Sequence, residues 1–170
     1  MYHMNKKQEL NAFIKECITT ALIGMMDRKA FDNITITELV KEAGVSRVSF
    51  YRNFESKKDV LEKYMDILIN EWGKDFEEQN DPSYLSESLV RHYYKYKEFY
   101  SLLYKHDLSY MIYENLRKAT KMDEASNNIE RYAKSLVAGS IFGWLDEWFR
   151  LGMKETPEEI MKMTEGEDNE

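Results

Sequence analysis

The residues best suited to chemistry in this chain sit between Thr35 and Lys57. A hydroxyl at Thr35 and a glycine at Gly44 are followed by Ser46, Arg47, Val48, Ser49, Tyr51 and Asn53, with Lys57 and Lys58 close behind. A guanidinium, small hydroxyls, an amide and a phenol crowded into so short a segment suit recognition through hydrogen bonds, not bond making. The surrounding spacing predicts two short helices joined by a glycine turn. That is a helix-turn-helix, whose second helix can lie in the major groove of DNA.

Local signals set the frame that would hold these side chains. The run T-I-T-E at Thr35–Glu38 spells a capping box, in which the Thr35 hydroxyl accepts from the Glu38 amide and the Glu38 carboxylate reaches back. Ile36, Leu39, Val40 and Ala43 give that helix a buried side. Gly44 stands where a helix ends in a left-handed residue, with Val45 packing into the turn. Ser46 caps the next helix, from Arg47 to about Asn53. Phe50 and Phe54 anchor it inward, which leaves Arg47, Val48, Ser49, Tyr51 and Asn53 to face outward. Ser56 caps a third helix that opens with Lys57 and runs to about Glu78, long enough to connect a head to a separate body.

Composition is consistent with such a protein. A chain of 170 residues with 43% hydrophobic and 32% charged residues reads as soluble and globular. The net charge of −7 argues at first against a nucleic-acid partner, but residues 1–60 hold ten Lys/Arg against eight Asp/Glu, and the acidic excess lies beyond them. A locally basic head on an acidic body is still steered towards phosphates. No apolar run approaches the roughly 18 residues that span a bilayer, and no signal-peptide pattern opens the chain, so no membrane role is expected. Cys17 is the only cysteine. It lies on an apolar stripe with Leu10, Phe13, Ile14, Ile18, Ala21, Leu22 and Met25 and is expected to be a buried structural thiol in a reduced, cytoplasmic setting.

Beyond the third helix, Asn80-Asp81-Pro82 marks a boundary, with Asp81 as cap and Pro82 preset in the first turn. A tyrosine-rich helix to about Tyr104 is predicted next, then a shorter one capped by Asp107 and ending near Lys118. A helix from about Asp123 to Leu151 would be the longest. Gly152 closes it, and T-P-E-E at Thr156–Glu159 opens a last one; the acidic end from about Thr164 is expected to fray. No strand pattern appears, so the fold class is all-α. A helix-turn-helix head (residues 1–55) would precede a helical body for effector binding and dimerisation (residues 56–170), with the helix over 56–78 connecting them.

Two surfaces of the body invite function. Trp72, Tyr93, Tyr96, Tyr100, Tyr104, Tyr110, Met111, Tyr113, Phe142 and Trp144 are candidates to line a pocket for a hydrophobic or aromatic molecule, cationic ones included, given the acidic neighbours. Plain core is the competing reading of any one of them. On the long late helix, Val137, Ser140, Ile141, Trp144, Trp148 and Leu151, with small residues Ala138, Gly139 and Gly143 beside them, make a candidate homodimer interface. Enzymatic readings find little support. His3, His92, His106 and Cys17 lack metal-ligand spacing, Asp146 and Glu147 point apart on their helix, and no phosphate loop or nucleophile elbow occurs. No cofactor, metal or catalytic residue is expected.

The blocks I-T-x-x-x-L-x-x-x-A-G-V-S, F-Y-R-N-F and S-K-K-D-V-L, in that order and spacing over about residues 8–65, resemble the TetR family, the tetracycline-repressor-like bacterial regulators. The segment from Ser140 to Ile160 is similar to the carboxy-terminal helices of many small members. The resemblance implies a dimer on a pseudo-palindromic stretch of double-stranded DNA, released when a small-molecule effector enters the body. It also implies residue roles. Thr35 would donate to a phosphate, Arg47 and Ser49 would face base edges, and Arg47 could pair with a guanine. Tyr51, Asn53 and Lys57 would hold the sugar-phosphate backbone. Ser46 would both cap its helix and contact DNA, with capping alone as the competing reading. Val48 replaces a frequent glycine and could touch a thymine methyl; Asn53 replaces a frequent histidine. The alternatives are a co-activator or adaptor of the same fold working through protein contacts, and a sensor that only sequesters its ligand.

Overall fold

The computed structural model describes residues 6–79, 81 and 84–164. The chain packs as two compact units, Met1–Met65 and Asp66–Glu170. The division therefore falls inside the helix that opens at Lys57, and the first turns of that helix belong to the head. Every described regular element is helical, as the sequence pattern requires. Among the described residues no helix is long and apolar enough to cross a membrane.

The head comprises α1 (Lys6–Arg28), a 3-10 turn at Phe31–Asn33, α2 (Ile36–Glu42), α3 (Arg47–Asn53) and the start of α4 (Lys57–Gln79). Ile18, Leu22 and Met26 of α1 are buried with Leu39, Phe50 and Leu61. The expected stripe on α1 holds only from Ile18 onward. Leu10 and Phe13 are exposed, Phe13 by 61%, and Cys17 is half-buried, not enclosed. The reason is reach: the side chains α1 buries all lie in its second half.

Short-range chemistry fixes α2 and α3. The Thr35 hydroxyl accepts from the Glu38 amide at 3.2 Å, and the Glu38 carboxylate accepts from the Thr35 amide at 2.9 Å, so the capping box forms. Gly44 takes φ 66°, and the Val45 and Gly44 amides bond the Val40 and Lys41 carbonyls at 2.9 and 3.2 Å. That is a Schellman closure, in which a left-handed residue lets the last carbonyls find donors. The Ser46 hydroxyl then accepts from the Ser49 amide at 3.0 Å and starts α3.

Glu38 also binds the Lys29 ammonium at 2.8 Å. The Lys29 bond, followed by the Thr35 amide and hydroxyl, holds its carboxyl at about 2 against an ordinary 4.5. A depressed carboxylate contributes stability that is present above pH 4.5 and is lost as pH falls towards 2. A carboxylate NMR titration should place the Glu38 midpoint near 2; a midpoint in the ordinary range contradicts the capping geometry.

The body holds the rest of α4 with α5 (Leu85–Lys95), α6 (Lys97–Lys105), α7 (Tyr110–Ala119), a 3-10 turn at Met122–Glu124, α8 (Asn128–Arg150) and α9 (Pro157–Thr164). The single helix expected up to Tyr104 is two helices, broken at Tyr96. The break lets α5 and α6 fold on each other. The His92 ring nitrogen lies 3.1 Å from the Tyr100 hydroxyl, and the Tyr93 and Tyr100 rings are 4.7 Å apart. On an unbroken helix His92 and Tyr100 would be separated by about 12 Å along the axis.

Asp107 also departs from expectation. It adopts φ 59°, and the Leu108 amide bonds the Leu103 carbonyl at 2.8 Å, so Asp107 closes α6 and does not cap α7. A short polar side chain tolerates the left-handed region, so aspartate substitutes for glycine here. α8 begins at Asn128, not near Asp123, because the Asn127 side chain accepts from the Glu130 amide at 2.9 Å. At 23 residues it equals α1 and α4 in length. Gly152 at φ 84° ends α8. Thr156 and Glu159 form the predicted second capping box. The expected roles of Pro82 and of the acidic end beyond Thr164 lie outside the described residues.

His92 is buried against Trp72, Tyr93, Tyr96 and Tyr100. Burial, and then Lys95, push its imidazole down from 6.5 to about 4. The unfolded chain binds the proton more readily, so this contribution is full above pH 6.5 and is lost as pH falls through about 4. The loss should approach about 3 kcal/mol. Denaturant unfolding between pH 7 and pH 4 checks it: a His92→Gln chain should lack this part of the pH dependence, and an unaltered profile contradicts it.

Candidate functional site

On α3 the residues divide by helical spacing. Phe50, Asn53 and Phe54 point into the head, and Phe50 is fully buried. Arg47, Val48, Tyr51 and Arg52 share the opposite, exposed face, with Val48 exposed by 67%. Ser49 lies on the boundary, half-buried, its hydroxyl 2.9 Å from that of Ser46.

Arg47 is poised within this face. Its guanidinium donates to the Thr37 hydroxyl at 3.3 Å and stands 5.9 Å from the centre of the Tyr51 ring. Both contacts hold the side chain along the outer surface of α3 and leave most of its five donors open. Thr37, exposed in the first turn of α2, and Arg52 are outward-facing neighbours that the sequence reading did not single out. For Arg52 the signal was available, since it follows Val48 by four residues on a helix.

Three expected contacts have other partners. Asn53 was expected to face outward and is corrected: it is exposed by only 7%, and its amide donates to the Ser49 carbonyl at 2.8 Å. The cause is spacing, since Asn53 lies three residues from Phe50 and shares its inward face. Its side-chain oxygen finds no partner among the described residues, and a phosphate, which only accepts, cannot supply one. Lys57 donates to the Phe31 carbonyl at 2.6 Å with its ammonium 4.5 Å from the Phe31 ring centre, tying α4 to the 3-10 turn. Burial lowers its pKa, and two donors remain for a phosphate. The Thr35 hydroxyl donates to Glu38 at 2.8 Å, a bond that a phosphate would have to replace.

The body has an open cleft of about 370 Å³ between α4 and α5. Trp72 and Tyr96, of the aromatic candidates, line it together with Phe76, Tyr84 and His92. Tyr93, Tyr100 and Met111 do not; all three are buried, which is the core reading of an aromatic stripe. Tyr104 stacks on Phe149 and donates to Asp146 at 3.0 Å, and Tyr113 packs on Phe142. Trp144 instead borders an apolar groove of about 280 Å³ formed by α5, α8 and α9, next to Ser140, Ile141 and Ile160.

The outer side of α8 carries an apolar row. Ile129, Tyr132, Leu136, Val137, Trp144 and Leu151 are all exposed, Leu136 by 72%. Ser140 and Gly143 interrupt the row with small residues, and the space a Cβ would fill at Gly143 is open. Ile141 is half-buried. Trp148 is the exception to the expected interface and is corrected: it is only 5% exposed, parallel to Tyr94 with centroids 6.1 Å apart. It lies inside the subunit because Leu145 and Phe149, the buried residues beside it, set the inward face of α8.

Residues 18–64, which run from α1 through the two short helices into α4, match the family model for bacterial regulatory proteins of the tetR family. No curated protein matches the chain. Among the described residues no group of three or more His, Cys, Asp or Glu is placed to hold a metal ion.

Proposed function

We propose that this chain, whose residues 18–64 match the tetR-family model, is a DNA-binding transcriptional regulator of that family and works as a homodimeric repressor whose hold on its operator is released by a small molecule. The observation that carries the reading is the outward face of α3, where Arg47, Val48 and Tyr51 stand free of the core beside Thr37. Arg47 would pair with a guanine edge in the major groove, Val48 would meet a thymine methyl, and Tyr51 would reach the backbone. Arg52 and the remaining donors of Lys57 would add phosphate contacts.

Dimerisation is supported by the exposed apolar row on α8 and by the groove beside Trp144, since exposed apolar patches of this extent mark association surfaces. α8 and α9 of two subunits would form a four-helix interface. The two recognition helices would enter successive major grooves about 34–36 Å apart. An effector bound in the body would favour a state whose heads no longer match that spacing, with α4, which contributes to both units, as the shared element.

Footprinting on the DNA upstream of the protein's own gene tests this. Two protected half-sites with centres about 10 base pairs apart are expected. Protection of no site, with the chain captured instead on another protein, would support the adaptor alternative.

A further inference from the structure

The cleft between α4 and α5 has walls of specific chemistry. On α4, Glu71, Asp75 and Glu78 recur at helical spacing, and Trp72 and Phe76 recur one residue on. One ridge of the helix is therefore acidic and the adjoining ridge aromatic. The Trp72 and Phe76 rings are stacked, with centroids 5.6 Å apart and planes 14° from parallel. The Trp72 indole N–H donates to the Ser88 hydroxyl at 3.1 Å, which donates in turn to the Leu85 carbonyl at 2.9 Å. The indole is thus oriented from within the protein.

Charge in the cleft is unbalanced. Among the described residues Glu71, Asp75 and Glu78 make no ion pair within 4.0 Å. The bases on the facing wall are occupied. Arg91 is bound to Glu87 at 2.8 Å and to Glu158 at 2.7 Å. The Lys95 ammonium lies 4.8 Å from the Tyr96 ring centre, within the field of Glu71 and Asp75. His92, held at about 4, is neutral near pH 7.

We propose that this cleft binds a flat organic cation, its ring against Trp72 and Phe76 and its charge beside Glu71 and Asp75. Aromatic faces and carboxylates both attract a cation, and a cleft of about 370 Å³ has the volume of a small-molecule site. A neutral aromatic would leave the acidic ridge unused. An anion would have to draw Arg91 from two carboxylates. The proposal deepens the effector reading by naming the ligand's chemistry, and it rests on that reading only for its regulatory meaning.

Calorimetric titration of the full chain without DNA tests it, using N-methylquinolinium, its neutral counterpart N-methyl-2-quinolone, and 1-naphthalenesulfonate. The cation should bind, the neutral compound at least about tenfold more weakly, and the sulfonate not at all. The E71Q/D75N chain, altered at two exposed positions, should keep its thermal midpoint and lose at least about tenfold in affinity for the cation. Absence of cation binding, equal affinity for the neutral compound, preference for the sulfonate, or an unchanged E71Q/D75N affinity would each overturn the proposal. Cation binding that leaves DNA affinity unaltered supports the site and removes the effector reading, so the two fail separately.

Discussion

A Leu136→Glu chain should run as a monomer, and its affinity for operator DNA should fall by about 10²–10⁴-fold, the advantage that a second tethered reading head gives. Leu136 is 72% exposed at the middle of the apolar row on α8. A glutamate there costs the isolated subunit little, because the side chain it replaces faces solvent. In an isologous interface the same row meets itself, and a carboxylate on each side would be desolvated against its symmetry mate. Trp148→Glu, which the sequence alone nominates for this purpose, should instead prevent folding, because Trp148 is buried against Tyr94 and Phe149. Light scattering and DNA titration on the two chains distinguish these outcomes. A Leu136→Glu dimer with native DNA affinity would refute the α8 interface.

The second large effect is at Arg47. A bidentate arginine–guanine pair discriminates by about 1–3 kcal/mol, so losing one in each half-site should weaken operator binding by about 30-fold to 10⁴-fold. Arg47 is exposed, so Arg47→Ala should leave thermal stability nearly unaltered. The loss should be selective: binding to shuffled DNA changes far less, and preference at one operator position relaxes. Arg52→Ala should behave differently, weakening operator and shuffled DNA alike and flattening the salt dependence, as expected of a phosphate contact. If Arg47→Ala weakens all DNA equally, Arg47 is a phosphate contact and base reading falls to Val48 and Ser49.

The features legible in the sequence are those decided within a few residues of themselves. Thr35 with Glu38, Thr156 with Glu159, Gly44 and Ser46 each bond to partners no more than five positions away, so residue type and spacing suffice. What escaped the sequence depends on which of several faces meets the core. Asn53 looked outward because it is polar, yet helical spacing sets it beside Phe50 and Phe54. Trp148 looked like an interface residue because Trp144 and Leu151 flank it, yet Leu145 and Phe149 draw it inward. The break at Tyr96 has no glycine or proline to announce it. It follows from the packing of His92 and Tyr93 on Tyr100, a contact between helices that periodicity within one helix cannot reveal. For the same reason only Trp72 and Tyr96, of the ten pocket candidates, line the cleft.

On the proposed function, the outward face of α3 reads a DNA sequence. Fluorescence anisotropy with the duplex selected from upstream of the protein's own gene, against the same duplex with its bases shuffled, tests it most directly at physiological salt. Two protomers per selected duplex are expected, with binding at least about 10³-fold tighter than to the shuffled one. Equal affinity for both duplexes would contradict it.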